Sequence, residues 1–90
     1  MPRSYPGVPL KVGSTGEDVR TIQRQLNAIS NNYHPITKLK VDGIYGRITE
    51  SAVKTFQQIF NLLATGIVDF GTWYEISNIF VAVSKLAELP

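Results

Sequence analysis

The residues able to do chemistry in this chain are few and widely spaced. Its 90 residues include one histidine, His34, seven Asp and Glu, and no cysteine. Zinc wants several nitrogen or sulfur ligands. His34, in a loop before Pro35, therefore reads as a solvated turn residue, and neither a metal site nor a cofactor is expected. Glycoside hydrolysis needs two carboxyl groups facing each other at roughly 5–10 Å, one of them with a raised pKa. Glu17, Asp18, Glu50 and Asp69 fall at expected helix starts, Asp42 in a turn, and Glu75 and Glu88 on or near solvated helix surface, so no such pair is evident. Serine chemistry has only His34 as a base and no nucleophile-elbow pattern. No catalytic residue is expected.

What remains suits recognition. In Asp42-Gly43-Ile44-Tyr45-Gly46-Arg47 two glycines permit close backbone approach. Ile44 is expected to point inward. Tyr45 is expected to offer a ring face to a sugar or a hydroxyl to an amide, and Arg47 a bidentate fork to a carboxylate. A plainer reading stands beside this one, a tight loop in which Asp42 bonds its own backbone. Tyr33 and His34 either add a second flat surface beside this turn or cover the edge of the core. Trp73 is expected in the core. Tyr74 and Val81 share nearly one azimuth on the opposite face, as a contact surface for a neighbouring module or as two scattered surface residues.

Three amphipathic helices must position these residues. The first follows Gly13-Ser14-Thr15-Gly16, with Thr15 as N-cap and Glu17 and Asp18 at the positive helix end. Val19, Ile22, Leu26 and Ile29 form its apolar stripe, and Asn31, Asn32 and Pro35 stop it. The second starts near Thr49 as N-cap, buries Ala52, Val53, Phe56, Ile59 and Phe60, and closes at Asn61, with Leu62 packing back onto the last turn. The third opens at Asp69 and runs to about Leu86, with Trp73, Ile76, Ile79, Phe80, Val83 and Leu86 on one side and Lys85 at its negative end. The fold class is all-α, a compact three-helix bundle with glycine-containing turns before the helices.

An internal repeat underlies this arrangement. Val19-x-x-Ile22-Gln23-x-x-Leu26 recurs 34 residues later as Val53-x-x-Phe56-Gln57-x-x-Phe60. Gly43-Ile44-Tyr45-Gly46-x-x-Thr49 recurs 23 residues later as Gly66-Ile67-Val68-Asp69-x-x-Thr72. Both glutamines lie at the same edge of their apolar stripes, where a side-chain amide can satisfy the backbone of a neighbouring loop. Gln57 is also carried in the candidate ligand set.

Leu10-x-x-Gly13-Ser14-x-Gly16-x-x-Val19-x-x-Ile22-Gln23-x-x-Leu26, followed by Asp42 to Gln57 and Gly66-Ile67-Val68-x-x-x-Thr72-Trp73, resembles the peptidoglycan-binding domain family over about residues 10–80. Tyr5-Pro6-Gly7-x-Pro9-Leu10 and Asn31-Asn32-Tyr33-His34-Pro35 are similar to the variant found in tandem copies in spore-forming bacteria. The resemblance implies a non-catalytic module that binds peptidoglycan, through glycan strand or stem peptide, and anchors an attached hydrolase or wall or spore protein. Asp42, Tyr45, Arg47, Tyr33 and Gln57 are its candidate ligand residues. The family's usual Asp-Gly-Ile-Val-Gly second turn is here Thr65-Gly66-Ile67-Val68-Asp69, which marks that turn as structural and shifts weight to Asp42–Gly46. Thr-Gly-x-x-Asp-x-x-Thr also resembles the helical part of matrix-metalloproteinase prodomains, but their inhibitory cysteine has no counterpart here. The alternative reading is a protein-interaction or pro-region module that keeps the fold without glycan binding.

Composition sets the remaining bounds. Length and 43% hydrophobic content suit one domain over 10–90, preceded by a Pro- and Gly-rich extended linker over 1–9 that is neither signal peptide nor helix. A net charge of +2 with scattered basic residues argues against a nucleic-acid partner, and no apolar run approaches a membrane span. The expected location is extracytoplasmic, in cell wall or spore envelope, with any export signal on sequence outside this chain.

Overall fold

The computed structural model describes residues 4–86. Three helices follow in order: α1 over Glu17–Ser30, α2 over Arg47–Ile59 and α3 over Phe70–Leu86. The core is built from the predicted stripes. Val19, Ile22, Leu26 and Ile29 of α1, Ala52, Val53 and Phe56 of α2, and Trp73, Ile76 and Val83 of α3 are all buried, α1 packing chiefly on α3. Each large apolar side chain taken fully from water contributes about 1.5–3 kcal/mol, so this shared core holds the three helices together. Ile59, Ile79 and Phe80 are half-buried at its margin. Leu86 departs from the expectation: it is 54% exposed, because the last turn of α3 runs past its partners. Glu88 lies outside the described residues.

Two helix starts also differ from the sequence reading. Gly16, not Thr15, occupies the N-cap of α1, at φ 117° and with no side-chain cap bond. Glycine alone takes that backbone conformation at little cost, and the Gly16 N–H is committed to the Gly43 carbonyl at 2.9 Å. Gly46 caps α2 in the same bare manner, which puts Thr49 inside the first turn instead of ahead of it. Asp69 does cap α3: its Oδ1 accepts the Thr72 N–H at 3.0 Å.

The end of α2 follows its sequence. Asn61 adopts φ 60°, the Leu62 N–H reaches back to the Gln57 carbonyl at 2.8 Å, and the Asn61 N–H reaches the Gln58 carbonyl at 3.4 Å. This paired closure satisfies two carbonyls that the helix would otherwise leave free.

Between the helices the chain makes no extended sheet but two isolated antiparallel bridges, Leu10 with Val68 and Thr15 with Ile44. Leu10 and Val68 exchange backbone hydrogen bonds at 3.0 and 2.9 Å. The Tyr45 N–H donates to the Ser14 carbonyl at 2.9 Å, and Gly13 N–H to the Tyr45 carbonyl at 3.0 Å. The segment before α1 thus straps the turns that precede α2 and α3. Upstream of Leu10, Tyr5 packs edge-on against Phe70 and Trp73, with centroids 5.8 and 6.1 Å away. Residues 1–3 of the expected linker lie outside the described residues.

Candidate functional site

Each turn before a helix is organised by one glutamine. Gln23 projects from α1 and is 1% exposed. Its Nε2 donates to the Ile44 carbonyl and to Asp42 Oδ1, each at 3.1 Å, and to Thr49 Oγ1 at 3.2 Å. Its Oε1 accepts the N–H groups of Asp42 and Gly43 at 3.2 and 3.0 Å. Gln57 repeats this role from α2, donating to the Ile67 carbonyl and Thr72 Oγ1 at 3.1 Å and to Thr65 Oγ1 at 3.2 Å, and accepting the Gly66 N–H at 2.9 Å. One primary amide offers donors and acceptors together, so it can close a loop in both directions. The sequence repeat is therefore a repeat of hydrogen bonding.

Asp42 completes its own turn. Its Oδ1 accepts the Ile44 N–H at 2.9 Å, and that bond, then the one from Gln23, holds the carboxyl below its ordinary pKa. The negative form is the one both donors favour. Thr65 substitutes for it in the second turn, where its Oγ1 accepts the Ile67 N–H at 3.1 Å.

Beside the first turn is a cavity of about 190 Å³ lined by Gln23, Leu39, Lys40, Asp42, Ile44, Ile48 and Thr49. Its floor is the glutamine network, already satisfied internally. Its walls are Ile44 and Ile48, 56% and 67% exposed, with Lys40 at the rim. Two large aliphatic side chains held in water beside a fixed polar floor make a shallow recognition groove.

The expected orientation of the turn is reversed. Tyr45 points inward, 1% exposed, and donates its hydroxyl to the Gly66 carbonyl at 2.6 Å, while Ile44 points out. Extended backbone alternates its side chains, and the larger ring takes the interior because its hydroxyl finds an acceptor there. Burial, with the Glu50 charge adding, pushes the Tyr45 pKa upward and keeps it protonated.

The other candidates scatter. Gln57 is buried in its own network and does not present itself to a ligand. Arg47 is exposed and pairs with Glu50 at 3.2 Å, a surface ion pair of little energetic weight. Tyr33 is half-buried, edge-on to Phe60 at 5.0 Å, and is not among the lining of the groove beside Asp42. His34 donates Nε2–H to the Asn31 carbonyl at 3.0 Å. Tyr74 is 37% exposed and Val81 half-buried. Of the five expected ligand residues, only Asp42 lines the groove.

Sequence reasoning missed Lys40, Ile44 and Ile48 as groove residues, and also Arg20. The Arg20 side chain lies across Gly43, where an added Cβ would meet it at 3.0 Å, and Lys54 lies across Gly66 in the same way. Arg20 and Lys54 stand in the same relation as Gln23 and Gln57, so the repeat itself carried that signal.

A small helical domain with satisfied polar floors, shallow grooves and, among the described residues, no convergent group of three or more metal-ligating side chains is built for binding. The family described as "Putative peptidoglycan binding domain" matches residues 15–76, and the chain belongs to that family; it is a peptidoglycan-binding module. Among solved structures it is similar to the N-terminal domain of SleB, at 27% identity and a TM-score of 0.73, over 86% of this chain and 99% of that one. No curated protein sequence matches it. The match supports the all-α reading made from periodicity alone.

Proposed function

We propose that the groove between the turn at Asp42 and the start of α2 binds the stem peptide of peptidoglycan without catalysis, and so holds an attached hydrolase or repeat domain on the wall or spore envelope outside the cytoplasm. The observation that carries this reading is the exposure of Ile44 and Ile48 against a floor whose polar groups are already bonded. A peptide entering there gains apolar contact without stripping water from orphaned donors. Lys40 at the rim and the exposed Arg47 offer positive charge to stem-peptide carboxylates. The site is preformed, which saves ordering entropy, yet it is small, so one copy binds weakly and serves by raising the local concentration of what it is attached to.

Pull-down on purified sacculi at low salt tests it. The domain is expected in the pellet, and Ile48→Asp, which places a charge on an exposed position without touching the core, is expected to leave most of it in solution. A wild-type domain that stays in the supernatant while an established wall binder pellets sinks the reading.

A further inference from the structure

The larger cavity of the molecule, about 340 Å³, lies beside the second turn, the one whose altered sequence marked it as merely structural. It is the repeat of the first groove. Gln57 and Thr72 stand where Gln23 and Thr49 stand, and Leu62 takes the place of Leu39. The differences between the two are systematic. Leu63 replaces Lys40, Thr65 replaces Asp42, Phe70 replaces Arg47 and Gly71 replaces Ile48, each 23 residues on. The last exchange removes the side chain that forms one wall of the first groove, and an added Cβ on Gly71 would meet nothing nearer than Asp69 Oδ1 at 3.8 Å.

Charge changes with shape. The second groove has lost the lysine and gained one acid, Asp69, where the first turn has Gly46. That acid opposes a carboxylate-bearing peptide and suits hydroxyl donors, since a carboxylate accepts several hydrogen bonds. At the edge stand Phe70, 64% exposed, and Tyr74, their rings 4.8 Å apart. Leu63 is 85% exposed. An uncharged pyranose has an apolar C–H face that lies on an aromatic ring, hydroxyls that donate to an acid, and an N-acetyl methyl that fills a small apolar recess.

We propose that this second groove is a separate subsite for an N-acetylated sugar of the glycan strand, so that the two halves of the internal repeat divide one polymer, peptide to the first and sugar to the second. The inference rests on the first groove being a peptidoglycan site. Specialisation by charge follows from the pairs Lys40/Leu63 and Gly46/Asp69, and by volume from Ile48/Gly71.

A chemical-shift titration of the whole chain with two probes decides it: a tetramer of N-acetylglucosamine, and a free stem pentapeptide. The tetramer is expected to move the amides of Leu63, Thr65, Gly71 and Thr72 and leave Lys40, Ile44 and Ile48 in place; the pentapeptide is expected to do the reverse. Gly71→Ile, which rebuilds the missing wall on an exposed helical position, is expected to abolish the sugar response and keep the peptide response and the melting temperature. If sacculi bind and the pentapeptide shifts the first groove while the tetramer leaves the second untouched, the sugar subsite is wrong and the proposed function stands. If the tetramer response survives Gly71→Ile, the placement is likewise wrong. If sacculi and both probes fail to bind, the proposed function fails with it.

Discussion

At the scale of single residues, two glutamines decide whether the turns exist. Gln23→Ala strands the Asp42 and Gly43 N–H groups and takes a donor from Ile44 O and Thr49 Oγ1. Buried groups left unpaired cost about 1–3 kcal/mol each, and partial rehydration at the surface returns some of this. The expected loss is about 2–4 kcal/mol, which in a domain of this size lowers Tm by roughly 10–25 °C. The same variant acts on Asp42. With the Gln23 donor gone the carboxyl pKa moves back toward its ordinary value, and only the Ile44 N–H still holds it down. The sign follows from linkage. A depressed carboxylate stabilises the fold above its unfolded pKa of about 3.9 and loses that contribution as pH falls through the lower folded value. Carboxyl-carbon titration by NMR, beside thermal melts, checks both. An unchanged Asp42 midpoint in Gln23→Ala would show that the glutamine is not coupled to the turn. The glutamines' position at the stripe edge was legible from periodicity and repeat. Tyr45 was not, since the alternation of Ile44 and Tyr45 fixes that they point oppositely and leaves open which is inside. The answer lies in a carbonyl 21 residues away, which no local pattern displays.

At the scale of elements, helix ends record how far local chemistry carries. The C-terminus of α2 is wholly local, and the Asn61-Leu62 pair gave it away. Its cost is local too. A β-branched residue at φ 60° loses about 1–2 kcal/mol, whereas glycine occupies the same place freely. Asn61→Val is therefore expected to lower stability by about that amount in urea melts, and Asn61→Gly to stay within roughly 0.5 kcal/mol of the parent. Equal losses for both would mean that the Asn61 side chain, not its backbone, closes the helix. The N-termini were less legible because threonine is a good cap by type, and Thr15 and Thr49 both stand near a helix start. The repeat held the correction. Thr49 aligns with Thr72, which lies three residues inside α3 after Asp69, so Thr49 belongs three residues inside α2 after Gly46. Both threonines serve as acceptors for a glutamine from the preceding helix, a task that the capping rule does not describe.

At the scale of the whole molecule, the two half-sites are joined through the interior. The Tyr45 hydroxyl of the first turn is bonded to Gly66 of the second, and the strand before α1 bridges both, through Leu10 to Val68 and through Thr15 to Ile44. Gly66 is further enclosed by the side chains of Glu50 and Lys54 from α2, and Gly43 by Arg20 from α1. A disturbance of one turn therefore has a short covalent and hydrogen-bonded route to the other. Tyr45→Phe is the least intrusive way to cut it, since the ring stays and only the hydroxyl leaves. The Gly66 carbonyl then lacks that donor, at about 1–2 kcal/mol. If the turns open together, amide exchange at Gly43 and Gly66 should accelerate by the same factor, on the order of 10-fold. Acceleration confined to Gly66 would instead make the turns independent modules that merely share a core. Joint opening has a consequence for binding: a ligand that rigidifies one groove leaves less ordering for the other, so peptide and sugar probes should each tighten the other's binding by one common factor.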